Sequence, residues 1–250
     1  MRNIFLHQAV ILAGGRGERL RPLTDRVPKP MVTVNGKPFL DYLVNSLVKV
    51  GIKKILILLG YKGGVIKQRY SNINNIVIEF SQGTAEDQTG RRVLNAFDQL
   101  EDHFLLLYGD NYWPIELDSM MELYQKTSAK ISTTVFSNNN GTGEYGYRNN
   151  VVVGNDGLVI KYDKKRQTSK ANGVDIGYFL IEKNALEPQI SDNFSFEVDI
   201  LPQFIARQEL MAYVTDTQYY YITNMDSLRS FETTAKQNNF TPLQINYRNN

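Results

Sequence analysis

The sequence predicts an α/β fold: a three-layer, mostly parallel, doubly wound sheet, with a small antiparallel region in the second half of the chain. Three observations carry this. Short apolar runs at Ala9 to Ala13, Lys54 to Leu59, Ile76 to Phe80 and Phe104 to Tyr108 alternate with stretches of helical apolar spacing, as at Phe39, Leu40, Leu43, Leu47 and Val50. Such alternation belongs to strand–helix–strand units, whose ligands sit outside the carboxyl ends of the strands. The first run leads directly into Gly14, Gly15 and Gly17, a backbone without side chains that can wrap an anion. Further on, Val151 to Val153 and Leu158 to Ile160 flank Gly154-Asn155-Asp156-Gly157, a hairpin signal that opens the antiparallel region.

Taken in order, the glycine loop comes first. Arg16, Arg19, Arg21 and Lys29 add positive charge to it, and Pro28 and Pro30 hold the Lys29 stem by fixing φ on either side. The loop is neither of the two commoner phosphate loops. A dinucleotide-binding turn needs Gly-x-Gly-x-x-Gly running into a helix, and Pro22 interrupts that, which argues against a dinucleotide-dependent oxidoreductase. A Walker loop needs Gly-Lys-Ser or Gly-Lys-Thr, and neither follows. The helix from Phe39 stops at Gly51, and the loop Gly60-Tyr61-Lys62-Gly63-Gly64 leads into a helix through Tyr70. Thr89 opens a helix running towards Leu100. The strand ending at Tyr108 delivers Gly109-Asp110, where a carboxylate at a strand's carboxyl end suits a hard cation. A helix at Leu117 to Lys126 and a strand at Ile131 to Phe136 follow, and Ser137 to Gly143, rich in Asn and Gly, reads as a mobile surface loop.

The stretch Leu12 to Pro30 resembles the signature of the sugar-1-phosphate nucleotidyltransferases: Leu-Ala-Gly-Gly-x-Gly-Thr-Arg-Leu-x-Pro-Leu-Thr followed by Pro-Lys-Pro, with Glu18 in place of the usual Thr. The resemblance extends over nearly the whole chain and implies a Rossmann-like nucleotide-diphospho-sugar transferase fold. It implies that Leu12, Ala13, Gly14, Gly15, Arg16 and Gly17 hold the nucleotide, that Arg19 assists departure of pyrophosphate, and that Lys29 bridges the reacting phosphates. Gly109 and Asp110 then lie against the phosphates, with Mg²⁺ held by Asp110 and by Asp226, although Asp226 could equally cap the last helix. The base is read around Gln82, Thr89, Gly90 and Arg92, where a surface loop with a capped helix is the competing reading for Gln82. Thr89-Gly90-Arg91-Arg92 and Met225-Asp226-Ser227-Leu228-Arg229 look like the cytidylyltransferase branch, whereas Gly36-Lys37-Pro38-Phe39-Leu40 looks like guanylyltransferases acting on mannose or heptose phosphates. The base stays open between GTP and CTP.

On the sugar side, the resemblance places a backbone contact at Gly146, the phosphate-binding lysine at Lys164 with Lys165 as a less favoured register, and hydroxyl contacts at Asp175 and Glu197. Glu197 also fits a first-turn acid favoured by the helix dipole, since Phe196 to Pro202 opens a helix. One domain over 1–250 is expected, with a nucleotide-binding part at roughly 1–136, a sugar-binding part at roughly 137–222 and a C-terminal helix over 225–250.

Composition restricts the alternatives. The formal charge of +2, set by 28 basic and 26 acidic residues, argues against a nucleic-acid binder that relies on net charge, and the basic run Lys161 to Lys170 reads as a solvated face. There is no cysteine and there are two histidines, His7 and His103, so thiol nucleophiles, thiolate zinc sites and histidine-rich metal centres are excluded. No run reaches membrane-spanning length, so a cytoplasmic chain without membrane partners is expected, with NTP and sugar 1-phosphate as its partners and a homo-oligomer allowed. The competing function is a non-catalytic nucleotide-sugar-binding regulatory subunit on the same fold, which loss of Arg19, Lys29 or either aspartate would favour; all four are present.

Overall fold

The computed structural model describes residue 2 and residues 4–74, 76–186 and 192–245. Its main strands are β1 Gln8–Leu12, β2 Lys54–Leu59, β3 Val77–Gln82, β4 His103–Tyr108, β5 Ile131–Phe136, β6 Val174–Glu182 and β7 Leu210–Thr215. The hydrogen-bonded order is β7-β5-β6-β4-β1-β2-β3. The helices are α1 Phe39–Lys49, α2 Gly63–Tyr70, α3 Thr89–Asn95, α4 Leu117–Lys126, α5 Leu201–Ala206 and α6 Met225–Gln237. This is the expected mostly parallel central sheet with flanking helices. Among the described residues, no helix is long and apolar enough to cross a membrane.

The chain divides into two compact units, each assembled from separated segments. The first comprises Met1–Leu6, Gln88–Leu106 and Glu116–Tyr219; the second comprises His7–Asp87, Leu107–Ile115 and Tyr220–Asn250.

In the second unit every residue of β1 is buried, because a strand covered on both faces has no polar side to alternate with. β1 runs parallel to β2, with Ala9 opposite Ile55, and β2 runs parallel to β3, with Ile55 opposite Ile78. The apolar positions of α1, Phe39, Leu40, Leu43 and Leu47, are all buried, as the helical spacing requires. Asp41 is buried among them. Its carboxylate accepts from Arg69 Nε at 3.0 Å and from the Tyr70 hydroxyl at 2.5 Å, and it pairs with a second guanidinium nitrogen of Arg69. Burial first, then the Asp41 charge, drives the Tyr70 hydroxyl well above its usual range. α6 is fixed by Phe231, whose ring lies 5.0 Å from Phe39, 5.6 Å from Tyr42 and 5.3 Å from Tyr112.

α6 is shorter than the expected 225–250. Asn239 turns into the left-handed region at φ 52°, and the Phe240 N–H returns to the Ala235 carbonyl at 2.9 Å, closing the helix end. Residues 246–250 of that expectation lie outside the described residues.

In the first unit β6 is antiparallel to β5 and β7 parallel to it, with an irregularity in the β5–β6 register between Asp175 and Phe179. The hairpin is present as Val151–Val153 paired antiparallel with Val159–Tyr162. Two details differ from the sequence reading. α3 stops at Asn95 and gives way to a 3₁₀ turn at Phe97–Gln99 rather than running to Leu100. Phe196–Ile200 is a π-helical turn that precedes α5. Residues 137–143 form the expected surface loop, pinned at Asn138, which is only 2 % exposed and donates to Gly146 O and Asn149 Oδ1 and accepts from Gly143 N–H.

The Asp41 network yields a stability prediction. Asp41→Ala strands the Arg69 guanidinium and Tyr70 hydroxyl, and should lower the free energy of unfolding by about 3 kcal/mol in urea titrations. Arg16→Ala, which removes an exposed ion pair with Glu86, should leave the midpoint unchanged.

Candidate functional site

The second unit holds the glycine loop and Asp110. The Gly109 N–H donates to the Leu12 carbonyl at 2.9 Å, Ala13 N–H to Leu58 O at 3.0 Å and Tyr61 N–H to Gly14 O at 2.9 Å, so the ends of β1, β2 and β4 are tied together where the loop starts. A Cβ at Gly109 would lie 2.7 Å from Leu12 O, so the approach requires glycine. Gly15 faces open space. Gly17 has φ +63°, and a Cβ there would lie 2.8 Å from Lys29 Cβ, so this glycine lets the lysine stem pass. Lys29 Nζ reaches Asp110 Oδ2 at 2.5 Å, and the lysine side chain is 13 % exposed.

Asp110 is braced from a second side. Its carbonyl accepts from Ile222 N–H at 3.1 Å, beside the two-residue strands Asn111–Tyr112 and Tyr220–Tyr221, which pair antiparallel. α6 starts just beyond, with Asp226 in its first turn. Asp226 is not the cap: Asn224 Oδ1 accepts from Ser227 N–H, and Ser227 Oγ accepts from Asn224 N–H. That leaves the exposed Asp226 carboxylate without a hydrogen bond or ion pair among the described residues. Arg16 is drawn onto Glu86 and lies 5.6 Å above the Tyr61 ring. Arg19 is exposed on the 3₁₀ turn Glu18–Leu20. Gln82 ends β3, exposed, with its amide donating to Gly83 O at 2.8 Å.

The first unit holds the remaining sequence-predicted residues. Glu197, 8 % exposed, accepts through Oε2 from the Thr89 hydroxyl at 2.8 Å and the Ser195 hydroxyl at 2.7 Å, while Oε1 lies 4.0 Å from Lys164 Nζ. Burial would raise its pKa, but Lys164 and the hydroxyl hydrogen bonds outweigh burial and hold Glu197 below the usual carboxylate range. Asp175 shows the opposite balance. Burial and, less strongly, the Glu197 charge raise it to about 6 against hydrogen bonds from Gly177 N–H, the Thr133 hydroxyl and Tyr162. Tyr162 is pushed well above its usual range by burial and by the charges of Asp175 and Glu197.

Thr89 and Gly90 meet residues inside this unit, and Arg92 is buried. Thr89 serves Glu197 and Phe196, and a Cβ at Gly90 would lie 2.5 Å from the Phe194 ring. Gly146 N–H donates to Gly143 O within its own turn. Thr133 and Tyr162 escape a sequence reading, because their partner Asp175 lies on another strand, and Ser195 escapes it although its partner Glu197 is only two residues on.

Chemically, the second unit offers an open glycine backbone with cations beside a carboxylate, and the first offers a lysine beside an ionised carboxylate acceptor. Among the described residues, no group of three or more His, Cys, Asp or Glu is placed to hold a metal ion. A cation held by Asp110 and Asp226 would therefore need substrate oxygens to complete its shell, the donor set that suits Mg²⁺.

The fold is that of an α/β protein with a mostly parallel sheet, and the chain belongs to the nucleotidyl transferase family, which it matches over residues 8–237. It is 29 % identical over 225 residues to a D-glycero-α-D-manno-heptose 1-phosphate guanylyltransferase of Aneurinibacillus thermoaerophilus, covering 89 % of this chain and 95 % of that protein. It is 26 % identical over 247 residues to a probable glucose-1-phosphate cytidylyltransferase of Bacillus subtilis, covering 89 % and 92 %. The crystal structure of HddC from Yersinia pseudotuberculosis complexed with GMP-PN superposes with a TM-score of 0.75 at 25 % identity, covering 91 % of this chain and 99 % of that one.

The Asp175 shift sets a pH dependence. A carboxyl raised from 3.8 to about 6 binds its proton more tightly folded than unfolded. Its contribution to stability is therefore full below about pH 4 and is lost as pH rises through about 6. Asp175→Asn should accordingly gain up to about 3 kcal/mol relative to the parent between pH 4 and pH 7 in urea unfolding. A difference that is constant with pH would contradict this.

Proposed function

We propose that this chain transfers a nucleotidyl group from an NTP to a sugar 1-phosphate, giving an NDP-sugar and pyrophosphate, for glycan or cell-surface polysaccharide precursors. The observation that carries the reading is the Lys29–Asp110 pair at 2.5 Å beside the glycine loop, a cation and a carboxylate together where phosphates would lie. The names of the relatives support the substrate class, and favour GTP with a mannose- or heptose-like phosphate or CTP with a glucose-like one.

A phosphate oxygen of the sugar 1-phosphate attacks the α-phosphorus, and the bond to the bridging oxygen of the pyrophosphate breaks. The attacking group is already anionic, so no general base is required, and the work left to the protein is positioning and charge neutralisation. The open backbone from Gly14 to Gly17 cradles the triphosphate, and Arg19 stabilises charge growing on the departing pyrophosphate. Lys29 passes from Asp110 to the reacting phosphates, and Lys164 receives the incoming sugar phosphate beside Glu197. Asp110 and Asp226 would hold Mg²⁺, which when bound neutralises charge on the α-phosphate.

The test is a matrix of the four NTPs against mannose, glucose and related sugar 1-phosphates, read by pyrophosphate release. Turnover should appear with GTP or CTP, and silence across the whole matrix would reject the reading. Asp110→Asn should fold normally yet lose at least about a hundredfold in turnover at saturating Mg²⁺. Near-normal turnover would remove Asp110 from the reaction.

A further inference from the structure

Resting on that reaction, the geometry points to Thr89 and Ser195 as positioning residues for the sugar phosphate, acting through Glu197 rather than on the base. The Thr89 hydroxyl has one proton to give. Its oxygen accepts from the Phe196 N–H at 2.9 Å, and the neighbouring Glu197 Oε2 at 2.8 Å can only accept, because that carboxyl is held ionised. The proton is thereby committed to Oε2. The Ser195 hydroxyl sends its own proton to the same oxygen at 2.7 Å, while it accepts from Val198 N–H at 3.4 Å.

Two hydroxyl protons on Oε2 fix the rotation of the carboxylate and leave Oε1 turned towards Lys164. The carboxylate is nearly buried, with its side chain 10 % exposed, whereas the lysine side chain is 58 % exposed. An entering substrate therefore meets an exposed cation and a fixed acceptor, which suits a phosphate carried next to a hydroxyl.

The surrounding backbone explains why Thr89 stays on this duty. Gln88 N–H donates to Asn193 Oδ1 at 2.7 Å and Arg91 N–H to Phe194 O at 3.1 Å, so the first turn of α3 is laced to the segment that carries Glu197. Gly90 lets that turn sit against the Phe194 ring. Glu197 itself rides on a π-helical turn, whose wider spacing is frequent at functional sites.

The experiment measures kcat and KM for each substrate with mannose 1-phosphate and GTP, and with glucose 1-phosphate and CTP, for the parent chain and for Thr89→Val, Thr89→Ser, Ser195→Ala and Glu197→Gln. Thr89→Val keeps the shape and loses the proton. It should raise KM for the sugar phosphate about tenfold, the worth of one hydrogen bond to a charged group, with KM for the NTP within about twofold. Thr89→Ser should restore the parent value within about twofold, because the proton returns. On the Glu197→Gln background, Thr89→Val should add little, since its target is already altered.

A rise in NTP KM with the sugar-phosphate KM unchanged would overturn the inference and return Thr89 to the base. Full additivity with Glu197→Gln would overturn it too. Should Thr89→Val melt before assay, Ser195→Ala decides alone: a raised sugar-phosphate KM supports the inference and an unchanged one rejects it. A parent chain without turnover rejects the underlying reaction and this inference with it, whereas an active parent with indifferent variants rejects this inference only.

Discussion

The second unit depends on one close approach, the Gly109 N–H to the Leu12 carbonyl, with no room for a side chain between them. Because β1 and β4 are joined at that point, what leaves their carboxyl ends must leave together. β1 releases the glycine loop, and β4 releases Asp110 one residue after Gly109. A larger residue at 109 would force the two ends apart and separate the glycine loop from the carboxylate. Lys29 then completes the arrangement from a third direction. Its stem passes Gly17 and its amine reaches Asp110, so the positive charge is held against the carboxylate. Bracing of Asp110 through Ile222, and of α6 through Phe231, places Asp226 on elements that the aromatic cluster holds rigid.

In the first unit the same physics separates two carboxylates. Asp175 and Glu197 are both largely buried, and burial alone would raise both. Glu197 escapes because Lys164 and two hydroxyls stabilise its charge; Asp175 has hydrogen bonds but no cation, so burial wins. Divergent shifts of this kind assign roles. Glu197 is a charged acceptor at neutral pH. Asp175 is tied to Thr133, Gly177 and, through its own N–H, Asn150, and it anchors the irregular stretch of β6.

Much of this was legible in the sequence where a residue's duty is local. Buried parallel strands announce themselves as apolar runs, and the glycine loop and Gly109-Asp110 each sit immediately after one. β7 was not legible: Leu-Met-Ala-Tyr-Val-Thr suits either helix or strand, and the turn before it uses Gln208 at φ 59° instead of a glycine that would mark the break. The π turn at Phe196–Ile200 has no sequence period to betray it. Asp226 could be placed in the last helix, but only the Asn224–Ser227 exchange shows that the cap is already filled. Thr89 is the sharpest case. Its position at a helix start was readable, while its partner Glu197 lies 108 residues away.

The reaction proposed above, in which the protein positions two anionic substrates, proceeds by direct displacement with no nucleotidyl group held on the protein. Exchange of labelled pyrophosphate into NTP, with Mg²⁺ present and sugar 1-phosphate absent, tests that claim most directly. The expected result is no exchange above background, with pyrophosphate chemistry appearing only when the sugar phosphate or its NDP-sugar is supplied. Steady exchange with NTP alone would reveal a covalent nucleotidyl intermediate and contradict the assignment of these residues to positioning.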